Sequence, residues 1–440
     1  MRPCSHQHLE QAYKDLDYLQ PLAPDDHRLA RELIDGFLTQ LATELILLKG
    51  EGRKMLIHGH VGCGKSTLLN CLEVRPDLKE HFLIVPLFIK EVSNPDDIEA
   101  IDIMIGAMTA AMDKAFARGI HLDESALEGA IGLYKELRGL LKTEITREEG
   151  RGGDIKADAG ISLPSMLQWL KAGFQANYRV SFENRKKVRE TFEPKMGQLI
   201  ERINETMTAI ETRIGHDVRL LFLVHDTDKP RIDKALHLFE DQGYHLSRLN
   251  AMALFVVDKA VACSGRFSAI TTRLGAARPF PAFKLVEPNG NFSEATKRNR
   301  ELLTALIRRR LPEPCITKEA LGRVVELGSG HFRETLRIAR ESVFKALLRE
   351  SSTRVEVSDV DYAAIERANE FNPTQQQWDV LKEVLQNPYW RPAEAKDTYD
   401  SPDSPVLQLL NGVALMEYTN AEDKWLRPHS VLIERITRRK

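Results

Sequence analysis

The run Gly59–Thr67, GHVGCGKST, constrains this chain more than any other stretch of it. Gly59, Gly62 and Gly64 free the backbone to curl, so that successive N–H groups face one point. A short apolar run, Met55-Leu56-Ile57, precedes the turn, and a helical stretch from Leu68 to Leu72 follows it. Strand, glycine turn and helix N-terminus in that order gather N–H donors and positive potential where a phosphate can sit. Gly59, His60, Val61, Gly62, Cys63, Gly64, Lys65, Ser66 and Thr67 are therefore the expected phosphate-binding segment. Lys65 is placed to reach the β- and γ-phosphates, and the Ser66 hydroxyl to ligand Mg²⁺. Cys63 reads as a small side chain tolerated within the loop, not as a redox thiol.

Further apolar runs supply the rest of a sheet. His81–Lys90 is a strand whose Pro86 predicts an edge or a bulge. Val218–Val224 (VRLLFLV) and Met252–Val257 (MALFVV) are central strands, and Phe280–Val286 is a weaker fifth. Helical segments separate them, so the expected fold is α/β: a P-loop NTPase parallel sheet flanked by helices. A helix is predicted over Asp25–Leu48 and another over Asp96–Arg118, stopped by Gly119. Between the second and third strands lies a helical insertion, broken by the glycine-rich stretch Glu149–Gly160. Its Lys-, Arg- and Glu-rich part, Phe182–Ile214, predicts a long solvated hairpin. After Pro288 helices alone are expected, at Ser293–Arg310, Lys318–Leu327, Phe332–Arg349 and Val357–Glu370, up to the break at Phe371-Asn372-Pro373.

Catalysis on a bound triphosphate needs a carboxylate at a strand tip. His225-Asp226-Thr227-Asp228-Lys229, after the third strand, is the candidate. If the strand ends at Val224, His225 takes the first position and Asp226 the second. If it runs one residue further, Asp226 becomes the metal-shell acid and Asp228 lies beyond it. Mg²⁺ prefers oxygen ligands to imidazole, so Asp226, with Ser66, is ranked as the metal ligand and Asp228 as second.

A chain of 440 residues has length for two or three domains. Its 62 basic and 64 acidic residues leave net −2, so no global positive field draws it to nucleic acid or an anionic membrane. Cys4, Cys63, Cys71, Cys263 and Cys315 show no CxxC or Cys/His spacing, which predicts neither disulfides nor zinc. No signal peptide and no membrane span are visible, and a soluble, cytoplasmic protein is expected.

Together these features resemble the AAA+ ATPase superfamily, in particular origin-recognition/Cdc6-like and STAND-like bacterial ATPases with a C-terminal winged helix. The resemblance spans roughly residues 20 to 440. It implies a nucleotide-binding core over 1–290 with the insertion at about 120–217, a helical lid over 291–372 and a winged-helix-like domain over 373–440. ATP and Mg²⁺ are the implied cofactors. Asp258, at the tip of the fourth strand, matches the family's polar sensor. Arg266, backed by Arg273 and Arg278, matches an arginine that acts on a neighbouring subunit's γ-phosphate. Arg333, in Gly328-Ser329-Gly330-His331-Phe332-Arg333, matches the second sensor. His225 departs from the usual acid, which puts turnover rate in question. The implied function is an ATP-hydrolysing switch that assembles with copies of itself and controls a partner protein, in a bacterial defence or mobile-element setting. The alternatives are a DNA-binding loader or transposition-type regulator, and a nucleotide-bound scaffold with little hydrolysis. The tail reads as a helix, a turn and a hairpin from Leu409 to Tyr418, a Trp425-containing turn and a last helix. Residues 373–440 carry 9 Lys/Arg against 10 Asp/Glu, so DNA is not indicated by charge and a protein partner is at least equally served.

Overall fold

The computed structural model describes residues 4–50, 52–122, 127–148, 163–170, 178–179, 181–215, 217–349, 352–391, 401–420 and 423–438. The glycine-rich stretch Glu149–Gly160 lies outside them.

Five strands form one sheet: β1 (Lys54–Gly59), β2 (Phe82–Phe88), β3 (Arg219–His225), β4 (Met252–Asp258) and β5 (Ala277–Pro279). Their order is β2-β3-β4-β1-β5, and every neighbouring pair runs parallel. The central strands β1 and β4 are buried at every position, as expected of a sheet covered on both faces. Pro86 lies in β2, an edge strand, where its missing N–H breaks no ladder. The fifth strand is not at Phe280–Val286. Ala277–Pro279 pairs with β1, while Phe280 and Phe283 leave the sheet to pack on Phe332 of the following domain.

Register places two pairs of tips together at the C-terminal edge: Gly59 opposite Asp258, and Phe88 opposite His225. β3 runs through His225, one residue beyond the apolar run. In such sheets this edge is where ligands bind.

Helices α1 (His6–Asp15), α2 (Asp35–Leu47) and α3 (Lys65–Val74) belong to the N-terminal half. α2 starts ten residues later than its periodicity predicts, after an extended arm and one short 3₁₀ turn. Ahead of the insertion lies α4 (Ala100–Ala117), and the insertion contains α5 (Glu128–Glu148), α6 (Phe182–Phe192) and α7 (Met196–Ile214). α4 stops at Gly119, which adopts a left-handed φ of 71°.

The hairpin reading of Phe182–Ile214 is half right: the segment is two helices, but it is not solvated. Val188 and Phe192 on α6, and Leu199, Ile203, Met207 and Ile210 on α7, are buried. The charges that suggested solvation are partly internal. Arg189 bonds Asp102 at 2.6 Å and Asp97 at 2.9 Å, and Arg185 bonds Asp97 at 2.8 Å. These pairs fasten α6 to α4 and to the segment leading into it.

Four helices follow the sheet: α8 (Glu294–Arg308), α9 (Lys318–Leu327), α10 (Phe332–Leu347) and α11 (Val357–Glu370). The last part holds α12 (Gln375–Gln386), α13 (Pro405–Asn411), an antiparallel hairpin of β6 (Leu415–Asn420) and β7 (Asp423–Pro428), and α14 (Ser430–Arg438). Trp425 therefore sits in a strand, stacked on Tyr418 at 4.7 Å, and not in a turn. The expectation of no disulfide is also corrected. Cys4 and Cys315, separated by 311 positions, are bonded, and no local spacing announces a pairing that only the fold creates.

Candidate functional site

The phosphate loop leaves β1 at Gly59 and enters α3 at Lys65. Gly62 and Gly64 have φ of 89° and 107°, conformations that L side chains avoid. Space adds a second constraint at Gly62: a Cβ there would lie 2.6–2.8 Å from the Arg333 side chain. Loop and lid arginine thus meet in van der Waals contact.

Lys65 is 2% exposed. Its Nζ donates to the Gly59 and His60 carbonyls at 2.7 and 2.9 Å, and lies 2.8 Å from the Asp228 carboxylate. Burial alone would lower the Lys65 pKa, but the Asp228, Cys63 and Asp258 charges and the Asp228 hydrogen bond together outweigh it and raise it. Burial likewise pushes Asp228 up, and Lys65 and Lys229 overcome that to hold it well below the carboxylate range. Asp226 behaves differently. It occupies a positive φ of 67°, burial raises its pKa, and its Oδ2 is buried without a hydrogen-bond partner. Between the strand tips, His225 stacks on Phe88 at 4.3 Å, and burial lowers its pKa to about 4, which keeps it neutral.

These groups line one cleft of about 240 Å³. Gly62, Gly64, Lys65, Ser66 and Thr67 form its floor, with Asp226 and Asp228 at one side and Arg333 at the other. Arg333 is the second residue of α10, and its Nε is buried without a hydrogen-bond partner. The lining is also apolar in part, through Tyr18, Leu22, Leu29, Leu33, Leu306 and Leu336. The arm carrying Tyr18 and Leu22 is pinned to α3, because the Leu22 N–H donates to Thr67 Oγ1 at 3.2 Å and Asn70 donates to the Leu22 carbonyl at 2.9 Å. Five cations, Lys65, Lys90, Lys229, Arg310 and Arg333, face three acids, Asp17, Asp226 and Asp228. A polyanion with an apolar end matches that distribution.

The residues fit a nucleoside triphosphate on two structural grounds. The glycine-shaped loop and Lys65 line the cleft, and the Arg333 side chain, lying where a Cβ on Gly62 would be, carries a buried Nε without a hydrogen-bond partner. They fit Mg²⁺ through hard oxygens alone: the Ser66 hydroxyl and the unpartnered Asp226 carboxylate line the same cleft. Among the described residues no ready-made cluster of His, Cys, Asp or Glu would hold a metal by itself.

Other expected residues stand elsewhere. Asp258 is buried behind the loop, caps the short helix Lys259–Cys263 and accepts from Asn411 at 3.2 Å. Arg266 is paired with Glu240 and lies 3.5 Å from Asp241, outside the cleft. Arg273 donates to the Glu240 carbonyl, and Arg278 pairs with Glu44. Gly59, His60 and Cys63 line a separate small cavity behind the loop.

His60 faces the C-terminal part. Its Nδ1 lies 3.2 Å from the Leu410 carbonyl, and its Nε2 accepts the Glu417 N–H at 3.3 Å. Nearby, Lys259 and Glu417 form a buried pair at 2.5 Å, and the Tyr418 hydroxyl donates to the Ser329 carbonyl at 2.6 Å. Hairpin and α13 thus rest on the loop, the β4 tip and the lid together. Sequence reasoning missed this role of His60, and also missed Lys90, Lys229 and Arg310. For Arg310 a signal existed: it continues the buried phase of Leu303, Leu306 and Ile307 on α8.

No family model matches the chain, and no curated protein matches it either. Among solved structures, the chain is similar to the Aeropyrum pernix Orc1 protein in complex with DNA, at 10% identity and a TM-score of 0.38, over 99% of this chain and 98% of that one. It is similar to Cdc6p from Pyrobaculum aerophilum at 12% identity and a TM-score of 0.35, over 97% of each chain. The Thermotoga maritima RuvB Holliday junction branch migration motor follows at 11% identity and a TM-score of 0.34, over 90% of this chain and 91% of that one. Superpositions this loose carry no argument. The P-loop parallel sheet stands on its own strand order and loop geometry, and no helix among the described residues is long and apolar enough to cross a membrane.

Proposed function

We propose that the chain is an AAA+-type switch that binds and hydrolyses ATP with Mg²⁺, assembles with copies of itself and controls a partner protein. One observation carries the reading: phosphate loop, acidic strand tip and lid arginine converge on a single cleft that apolar side chains also line. Lys65 and the loop N–H groups hold the phosphates, and Arg333 ties the lid to the same group. Mg²⁺, when bound, neutralises charge developing on the phosphates. Ser66 and Asp226 are placed to hold it, Asp226 also to polarise water, with Asp228 second because Lys65 already engages it. Asp258 senses the phosphates through the strand tip, and Arg266 acts across a subunit interface.

The tail, winged-helix-like in element order, is the output. Its contacts through His60, Asp258 and Ser329 connect it to the three parts of the site that answer to phosphate. A protein partner, in a bacterial defence or mobile-element system, suits a tail without basic surplus.

Calorimetry with Lys65→Ala tests the core of the proposal. Loss of ATP binding is expected, and unchanged affinity would remove the phosphate-loop assignment. Arg266→Ala is expected to spare ATP binding and cut turnover by about 10³-fold, as trans-acting arginines do. Mixing it with Lys65→Ala subunits should restore some activity, and full turnover by a dilute monomer would end the assembly reading.

A further inference from the structure

Arg310 is 3% exposed and lines the nucleotide cleft just beyond α8. Its Nη1 donates to the Leu306 carbonyl at 2.9 Å, while its Nε is buried without a partner. Among the described residues it has no carboxylate within ion-pair distance. Asp26, the acid whose charge it feels most, is already bonded by Arg28 at 2.7 Å. The other two buried arginines are satisfied, Arg185 by Asp97 and Arg189 by Asp97 and Asp102. A guanidinium presents five N–H donors and stays charged, so burying one without an acceptor is costly. Burial brings the Arg310 pKa down to about 10, still charged at neutral pH.

Position decides what acceptor would suit it. Arg310 follows α8 and bonds its Leu306 carbonyl, and the charges that act on it most are those of Arg28, Asp26, Asp15 and Arg309. Leu22, Leu29 and Leu306, which line the same cleft, are apolar and suited to the face of a flat ring. An Nε donor without a partner, in a cleft lined in part by such side chains, is arranged for the polar edge of that ring.

We propose that Arg310 is the residue that recognises the base of a purine nucleoside triphosphate, its guanidinium donating to the acceptor atoms on the ring edge. The assignment rests on the nucleotide reading of the cleft and names the group that selects its base. A structural role as a mere cap for the Leu306 carbonyl makes the opposite prediction for stability. A cap lost to methionine destabilises the fold, whereas an uncompensated buried charge replaced by an apolar chain of similar length does not.

The test measures binding of ATP, ribose 5-triphosphate and inorganic triphosphate to the full chain by calorimetry, for the unaltered protein, Arg310→Met and Arg310→Lys. Arg310→Met is expected to weaken ATP binding about ten- to a hundredfold, the loss typical of a charge-assisted hydrogen bond. The two ligands without a base should stay within about twofold, a margin far below the effect of one such bond. Arg310→Lys should recover part of the loss, and the ligand-free melting temperature of Arg310→Met should hold or rise. Equal losses for all three ligands, a loss shared by ribose 5-triphosphate, or no loss for ATP would each overturn the assignment, as would a lowered melting temperature with unchanged ATP affinity. If the unaltered protein bound none of the three, the nucleotide reading itself would fall, a result separable from any effect of Arg310.

Discussion

The Lys65 ammonium and the Asp228 carboxylate lie 2.8 Å apart, with side-chain exposures of 2% and 1%. Each is the other's main compensation for leaving water, so removing one charge strands its partner. Asp228→Asn should therefore cost about 3 kcal/mol of stability in urea denaturation, the loss typical when one half of a buried pair is removed. Two carbonyls that also bond Lys65 cushion the loss. No shift in the denaturation midpoint would refute a structural role for the pair.

Asp226 predicts the reverse. Its carboxylate is half-buried, its pKa is raised by burial, and one oxygen has no hydrogen-bond partner. Asp226→Asn should hold or raise the melting temperature while ATP remains bound and unhydrolysed. Full turnover by this variant would move the chemistry to Asp228 or out of the chain.

Gly62 tests the meeting of loop and lid. An alanine there faces both a φ of 89° and a Cβ within 2.6–2.8 Å of Arg333. Left-handed backbone alone costs an alanine about 1–2 kcal/mol, and the contact must push Arg333 aside. Calorimetry should show ATP affinity reduced by about tenfold, the size of one weakened charge-assisted bond. A variant that binds like the unaltered protein would mean that Arg333 contributes nothing to the ligand.

His60 couples the loop to the hairpin through a single neutral tautomer, Nδ1–H toward Leu410 and Nε2 receiving Glu417. His60→Ala leaves both backbone groups without that partner, at about 1–3 kcal/mol each where water cannot replace it. Amide exchange along Leu415–Asn420 should accelerate while ATP affinity changes little. Unaltered protection of these amides would show that the hairpin is held by its other contacts alone.

Acid should unfold the chain through its histidines. Burial lowers the pKa of His58 and His331 to about 3 and of His225 and His429 to about 4, and lowers that of His60 well below normal. Each is neutral when folded and takes a proton when unfolded, so the stability it contributes is complete above about pH 6.5. That contribution falls as pH drops towards the folded pKa, by up to about 1.4 kcal/mol per pH unit for each group. Melting temperatures measured from pH 7 to pH 4 should decline steeply, and a flat profile would contradict the buried neutral state.

The parts of this site that the sequence displays are local. Nine consecutive residues spell the phosphate loop, and β1, β3 and β4 are short apolar runs that need no distant partner to be recognised. Errors arose where distant residues decide. Phe280 and Phe283 read as strand because they are apolar, yet they pack on Phe332, about fifty positions away. Arg185 and Arg189 read as solvated because they are charged, yet Asp97 and Asp102, some ninety positions earlier, neutralise them inside. Local composition reports polarity, and burial of a charge depends on a partner that composition cannot place.

The Cys4–Cys315 bond takes the cleft's apolar lining from Tyr18 to Leu306 into a covalent ring. Chain runs from Cys4 through the arm and the sheet to the lid, and the sulfur bridge returns it to its start. Any single cut between positions 4 and 315 would therefore open the ring without freeing a fragment. A swing of the lid carries Cys4 with it while the bridge stands, whereas Leu22, bonded to Thr67 and Asn70, stays with the sheet, so the stretch between them takes up the movement. A dithiol reductant, which splits the bridge into two thiols by supplying two electrons and two protons, would release that tether.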